Sequence, residues 1–236
     1  MEIQEHTLKD GSVIEISRDG NHQYRVNNGP KMSNVTSMTH SLSDGDTFGI
    51  AVRWATNIIR DTNNFDGALL AQEEGRMGGE MLHSAVQDYI DNGVISEDSE
   101  TFVAWLQTAG KLEQQGLSWV TSERFVYHPD LNYAGTVDAI SIDLEGNIAI
   151  WDWKTKQRDS WERNGPYLSE QAQLAAYATA LKAMGSRWVP TKAYIMYVMR
   201  DGSYTDTREV DIKKGMELFL ASQAVYNLVK ERSKKK

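Results

Sequence analysis

Apolar residues recur at helical spacing from Phe48 onward, where Ala51, Val52, Trp54, Ala55, Ile58 and Ile59 make one stripe, and this predicts a helix that ends at the polar break DTNNFDG. A second helical pattern runs from about Gly67 to Asp91, with Leu69, Leu70, Met77, Met81, Leu82, Ala85, Val86 and Tyr89 on its apolar side. Its Gly75, Gly78 and Gly79 each weaken a helix by about 1 kcal/mol relative to alanine, which predicts either close backbone approach or a break near Gly78. A third helix is expected after Ser99, burying Phe102, Val103, Trp105, Leu106 and Leu112. The period then changes to two, and residues 117–127, 133–142 and 147–154 read as strands. A helix over about 168–184, a buried strand KAYIMYVMR after Pro190, a shorter strand over 205–211 and a helix over about 212–231 complete the pattern. Ahead of all of these, SVIEIS and HQYRV flank the turn RDGN, and NNGP follows, so residues 1–35 read as a peripheral hairpin region. Helices, three strands, helix, strand, helix: the order predicts an α/β fold with a mixed central sheet flanked by helices.

No repeat or linker divides the 236 residues, so a single domain is expected: the hairpin region, a helical wall or arch over 36–116, a sheet core over 117–211, and a last helix with a basic tail over 212–236. The tail KERSKKK reads as a frayed, solvated end, with weak phosphate contact as the alternative. No run of about 18 apolar residues and no signal-like N-terminus are present, which predicts a soluble, intracellular, cytoplasmic protein without a membrane partner. The absence of cysteine excludes disulfides, thiolate zinc sites, iron–sulfur clusters and a cysteine nucleophile. Any metal must therefore sit on oxygens, with or without a histidine. A net charge of −8 argues against coating nucleic acid through bulk electrostatics, yet leaves room for an enzyme with a locally basic groove.

The stretch AGTVDAISIDLEGNIAIWDWKTKQ, residues 134–157, carries an aspartate in each of two apolar strands. With Leu144, Glu145 and Gly146 as a three-residue turn, Ile142 falls opposite Ile148, Ile140 opposite Ile150, Asp138 opposite Asp152 and Thr136 opposite Lys154. A shift by one residue throws the isoleucines onto opposite faces, so the apolar pattern selects this register. Directly opposed side chains have Cβ atoms about 4.5 to 5.5 Å apart, and like charges there repel. Ile148 and Ile150 on one face and Trp151 and Trp153 on the other make the strand central, where solvent gives limited relief. Three resolutions are open. A salt bridge to Lys154 is one, although one ammonium cannot satisfy two carboxylates. A shared proton is another, for which the chain lacks a second Asp-Thr-Gly-like element. The third, favoured by the spacing, is a divalent cation such as magnesium, which takes one or two carboxylates plus waters and phosphate. A lysine beside it can orient and help deprotonate an attacking water, or stabilise charge developing on a phosphate.

These residues resemble the PD-(D/E)xK nuclease superfamily, as Val137-Asp138, a turn, and Asp152-Trp153-Lys154. GTVDAI followed by IWDWKT is similar to its RecB-type branch. That branch implies an upstream Gly-x-x-x-His, found as Gly79 to His83 in GGEMLH, and a downstream Gln-x-x-x-Tyr, found as Gln173 to Tyr177 in QLAAY. Within the branch the likeness is to the mitochondrial genome maintenance exonuclease group and similar phage-encoded exonucleases. SERFVYHPDLNYAGTVDAI shares their layout, with Glu123 fifteen residues before Asp138, and SNVTSMTH and VRWATNII resemble their upstream regions, so the likeness covers residues 31–211.

The resemblance implies a restriction-endonuclease-like core and a Mg2+- or Mn2+-dependent deoxyribonuclease. It implies that Asp138, Asp152 and the Trp153 carbonyl bind the catalytic metal, that Lys154 works on the nucleophilic water, and that His83 is an additional ligand. Glu123 would reach the same metal or a second one, Gln173 would position the metal-bound carboxylate or scissile phosphate, and Tyr177 would pack or contact DNA. Helices over residues 48–91 would form a wall or arch suited to threading a single-stranded end, hence an exonuclease on single-stranded DNA in replication, repair or recombination. A phage-encoded chain would work in the host cytoplasm. Asp152 stands where the superfamily commonly has Glu, which is normal for the branch.

Each residue also has a plainer reading. His83 alone reads as a satisfied core or surface histidine, and Glu123, sharing a strand face with Phe125 and Tyr127, as part of a buried ion pair. Gln173 and Tyr177 at four-residue spacing make an ordinary helical side-chain pair. Trp161, in QRDSWERNGPY with Arg158 and Arg163, either clamps single-stranded DNA or caps the core. The rival functions are a non-catalytic DNA-binding protein that keeps the fold, a structure-specific endonuclease, or a glycosidase using the two aspartates as acid and nucleophile.

Overall fold

The N-terminal alternation produces three strands rather than two: β1 (Glu2–Thr7), β2 (Val13–Arg18) and β3 (Tyr24–Val26) form a small antiparallel sheet. The computed structural model describes residues 1–42, 55–61, 63–64, 66–95 and 99–233. A short β4 (Ser33–Asn34) leads into α1 (Val35–Thr39), which Asn34 caps by accepting the Ser37 N–H at 2.7 Å. Of the first helix expected from the sequence, residues 55–61 are helical and 48–54 lie outside the described residues.

Next come α2 (Gly67–Asn92) and α3 (Glu100–Gln114), the latter capped by the Ser99 hydroxyl. The strands β5 (Ser118–His128), β6 (Tyr133–Ile142) and β7 (Ile148–Lys156) follow within a few residues of their expected limits. The short α4 (Arg158–Asn164), α5 (Leu168–Ala183), β8 (Lys192–Met199), β9 (Thr205–Glu209) and α6 (Ile212–Ser233) complete the chain. The six-stranded sheet is mixed: β6 and β7 are antiparallel, β7 and β8 parallel, β8 and β9 antiparallel.

Two apolar layers cover this sheet, as the two-faced pattern of β7 requires. Ile140 and Ile150 join Leu174 of α5, Phe219 of α6 and Ile16 and Tyr24 of the small sheet in one core. Trp151 and Trp153 join Leu82 and Val86 of α2 and Phe102 and Trp105 of α3 in the other. The fold is therefore the expected α/β restriction-endonuclease-like core with helices on both sides.

Two details of the helices depart from the sequence pattern. The helix α2 runs unbroken through Gly78, where a Cβ would meet nothing within 4 Å, and of its three glycines Gly75 alone serves close approach: a Cβ there would lie 2.6 Å from the Arg200 guanidinium. The sheet covers only the C-terminal half of α2, so Leu69, Leu70, Met77 and Met81 are exposed, as is Val103 on α3.

His6 of β1 makes a testable contribution. Its ring is buried, Nε2 has no hydrogen-bond partner among the described residues, and burial, aided by Arg124, pushes its pKa down from 6.5 to about 4. The unfolded chain therefore binds the extra proton first, so the stability that neutral His6 contributes is complete above pH 6.5 and is lost as pH falls toward 4. Up to about 3 kcal/mol is at stake. Denaturant titrations from pH 7.5 to 4 are expected to show a steeper loss for the wild type than for His6→Phe; parallel curves would refute the assignment.

Candidate metal centre

The β6–β7 ladder has the register selected by the isoleucines, with Ile142 opposite Ile148, Ile140 opposite Ile150 and Ala139 opposite Trp151. It ends there, one pair before the aspartates. Beyond that point β7 continues beside β8, and the vacated edge of β6 takes β4 at Ser33 and Tyr133. The sheet forks where the carboxylates begin. Asp138 Oδ2 accepts the Trp153 N–H at 2.7 Å, taking a backbone donor that no strand partner reaches. Both aspartates are buried.

Two further elements converge on the fork. In β5, Ser122 pairs with Ala139 and Arg124 with Val137, which sets Glu123 opposite Asp138. From α2 comes His83, held in place two turns on by Asp91, whose carboxylate accepts the Ser122 N–H at 3.0 Å and its hydroxyl at 2.6 Å. His83 Nδ1 lies 3.6 Å from Asp138 Oδ2 and 3.7 Å from Glu123 Oε1. One ligand atom from each of His83, Glu123 and Asp138 lies within 4.8 Å of the others. Glu123 reaches this position with φ at +45°, a left-handed backbone inside a strand that costs a non-glycine residue about 1–3 kcal/mol. This twist, with a ladder irregularity after Trp119, overrides the simple alternation that put Glu123 beside Phe125 and Tyr127.

The charges are not balanced. Burial disfavours a proton on His83, but Asp138 and Glu123 outweigh it and raise its pKa to about 9. Burial raises the Asp138 pKa, with Glu123 adding to it and His83 and Lys154 opposing. Burial likewise pushes Asp152 up to about 6, against the pull of Lys154 and with the help of Asp138. Lys154 is held above its ordinary value because Asp152 and Asp138 overcome the effect of burial. Its Nζ donates to Asp152 Oδ1 at 2.9 Å and lies 2.7 Å from Oδ2 without hydrogen-bond geometry, so among the described residues Oδ2 is buried with ionic but no hydrogen-bonded company.

Three carboxylates thus face two cationic side chains, the surplus of negative charge that a divalent cation offsets. His83 fits that purpose. Its Nε2 lies 3.2 Å from the Trp153 carbonyl, which only accepts, so Nε2 carries a hydrogen and Nδ1 is the nitrogen that faces the carboxylates, where a bound cation would displace its proton.

The PD-(D/E)XK nuclease superfamily matches residues 99–231, more than half of the chain. The chain belongs to that superfamily. No curated protein matches it. Among solved structures, one titled "Crystal structure of SSO0001" is 14% identical and covers 81% of this chain and 75% of its own, with a TM-score of 0.40, a likeness that carries no argument. His83 and the small N-terminal sheet lie outside the stretch matched to the nuclease superfamily.

The remaining site expectations fall out unevenly in this superfamily member. The Trp153 carbonyl faces His83. Gln173 donates to Tyr177 Oη at 2.8 Å and to Thr36 Oγ1 at 3.2 Å, and none of its hydrogen bonds to described residues goes to the carboxylates. Tyr177 is 4% exposed and packs on Gly135, where a Cβ would meet its ring at 2.3 Å, so it offers no face to DNA. Trp161, 6% exposed, stacks on Tyr197 with centroids 4.1 Å apart and belongs to the core rather than to a DNA clamp. Arg158 is exposed and paired with Glu162, while Arg163 lines a cleft beside the site.

That cleft was not legible in the motifs. Arg76, Lys156, Arg163 and Arg200 line it, and Gly75, Arg76, Thr155 and Lys156 join it to a second cleft of about 630 Å³ that contains His83, Glu123 and Lys154. Arg163 is the cleft residue that the sequence singled out; Lys156, on the face of Lys154 two residues on, is one that strand alternation could have added. Burial lowers its pKa even with Glu170 accepting from it at 2.5 Å. Arg18 and His22, from a segment read as peripheral, also line the second cleft.

Proposed function

We propose that the chain is a metal-dependent deoxyribonuclease of the RecB-type branch that hydrolyses phosphodiester bonds from the ends of single-stranded DNA. The observation that carries this reading is the convergence of His83, Glu123 and Asp138 beside the buried Asp152–Lys154 pair. His83 Nδ1 and the Glu123 and Asp138 oxygens would hold a divalent ion, with the unbonded Asp152 Oδ2 as a further donor. Such an ion supplies neutralisation of phosphate charge and a water of lowered pKa. A nitrogen among oxygen donors favours manganese over magnesium, which holds more strictly to oxygen.

Lys154 enters as an ammonium, since two carboxylates raise its pKa. Its role is to orient the attacking water and stabilise charge on the phosphate, not to remove a proton while Asp152 holds it. Arg76, Arg163 and Arg200 along the adjoining cleft suit a phosphate backbone. Gln173 braces the Tyr177 hydroxyl behind the site.

Linear single-stranded DNA labelled at either end, compared with a closed circular strand, tests the reading and gives the polarity. Linear DNA is expected to shorten from an end with Mg2+ and more readily with Mn2+, not with EDTA, and the circle to survive. Cutting of the circle rules out an exonuclease, and inertness on DNA with both metals removes the nuclease reading altogether.

A further inference from the structure

Among the described residues, the edge of β5 beyond Glu123 is bonded not by a strand but by one side chain. Gln4 of β1 donates from Nε2 to the Glu123 carbonyl at 2.7 Å and accepts the Phe125 N–H at Oε1 at 2.9 Å. A carbonyl at one residue and an N–H two residues on is the pair that a parallel neighbour offers and receives across the intervening residue, so the Gln4 amide stands in for a strand opposite Arg124. Pinning that carbonyl fixes the peptide plane that follows Glu123, the residue whose left-handed backbone turns its carboxylate toward His83 and Asp138.

Nothing else in β1 bonds β5 so close to the cluster: the other contact, Arg124 to the Glu5 carbonyl at 3.2 Å, runs from β5 outward. The small sheet is also tied to the fork from its second strand, where Arg18 donates to Thr136 Oγ1 at 3.3 Å, two residues before Asp138. An ordinary docking contact needs no paired amide at the one strained residue of the site.

We propose that Gln4 is a positioning residue for the metal centre, holding Glu123 in its ligating conformation. The inference rests on the metal-centre reading and extends it to a segment outside the superfamily match. Binding of Mn2+ to the full chain, followed by loss of the free-ion electron paramagnetic resonance signal, separates the two. Gln4→Ala is expected to weaken Mn2+ binding by about tenfold or more, the scale of a lost partner behind a ligand. The KM for DNA should stay within about twofold of the wild type, and the change should have no further effect in a Glu123→Gln background, as for two residues acting through one ligand. Leu8→Ala, which loosens the docking of the small sheet without touching Glu123, should leave Mn2+ affinity unchanged. Gln4→Met keeps the shape without the hydrogen bonds and serves if the alanine variant does not fold. Wild-type affinity in the Gln4 variants while Glu123→Gln weakens binding overturns the positioning role alone, as does a full additive loss in the double variant. A wild type that binds no Mn2+ removes the metal centre and this role together.

Discussion

Asp138→Asn is expected to lower the rate of DNA cleavage by at least about a thousandfold, near 4 kcal/mol of transition-state stabilisation, without lowering the melting temperature measured in EDTA. Asp138 stands where three elements meet, facing His83 at 3.6 Å and opposite Glu123 in the β5–β6 register. Removing its charge removes the central anionic donor of the cluster. Folding responds differently. Asparagine offers an oxygen to the Trp153 N–H that Asp138 now bonds at 2.7 Å, and it lifts a buried charge that solvent does not support. Activity and stability should therefore move apart, as they do where a site is built at the expense of the fold. Single-turnover cleavage and thermal melts of both proteins check this. A variant that retains a tenth of the wild-type rate would show that Asp138 is not central, and a large drop in melting temperature would show that its charge serves the fold.

Trp105→Ala is expected to destabilise the protein by about 3–5 kcal/mol, the largest effect of any single truncation considered. The indole is fully buried between α3 and the sheet. It stacks on Phe102 at 5.9 Å and meets Trp153 edge-on at 5.5 Å and Tyr89 at 5.6 Å. The loss reaches the site through Trp153, whose N–H bonds Asp138 and whose carbonyl faces His83. Trp105→Phe should be far milder, because Trp105 Nε1 is buried without a hydrogen-bond partner among the described residues and phenylalanine removes that donor. Urea titrations of the two variants decide it: equal losses would mean that a phenyl ring recovers nothing and the whole indole is required, and a small loss for alanine would mean that the aromatic cluster is dispensable.

Much of the catalytic sheet was legible because its signals are local. The isoleucines on either side of Gly146 specify the β6–β7 register, and two apolar faces on β7 specify a central strand. Tyr177 and Trp161 show where local signals stop. Both have motif or loop settings that suit contact with DNA, yet Gly135 opens a slot for one ring and Tyr197 offers a face to the other. Burial of an aromatic depends on what packs over it, and its neighbours in sequence do not carry that information.

The sequence by itself determined the element order, the hairpin register and the unbalanced pair Asp138 and Asp152, while His83 and Glu123 entered as candidates through the family resemblance. Only the tertiary structure decided that the ladder ends one pair before the aspartates, that Glu123 is twisted into place, and that the small N-terminal sheet reaches the site through Gln4 and Arg18. Periodicity reports which face of an element is apolar. It cannot report which remote polar group satisfies an unpaired carbonyl on a strand edge, because that bond spans 119 residues and leaves no pattern in the chain.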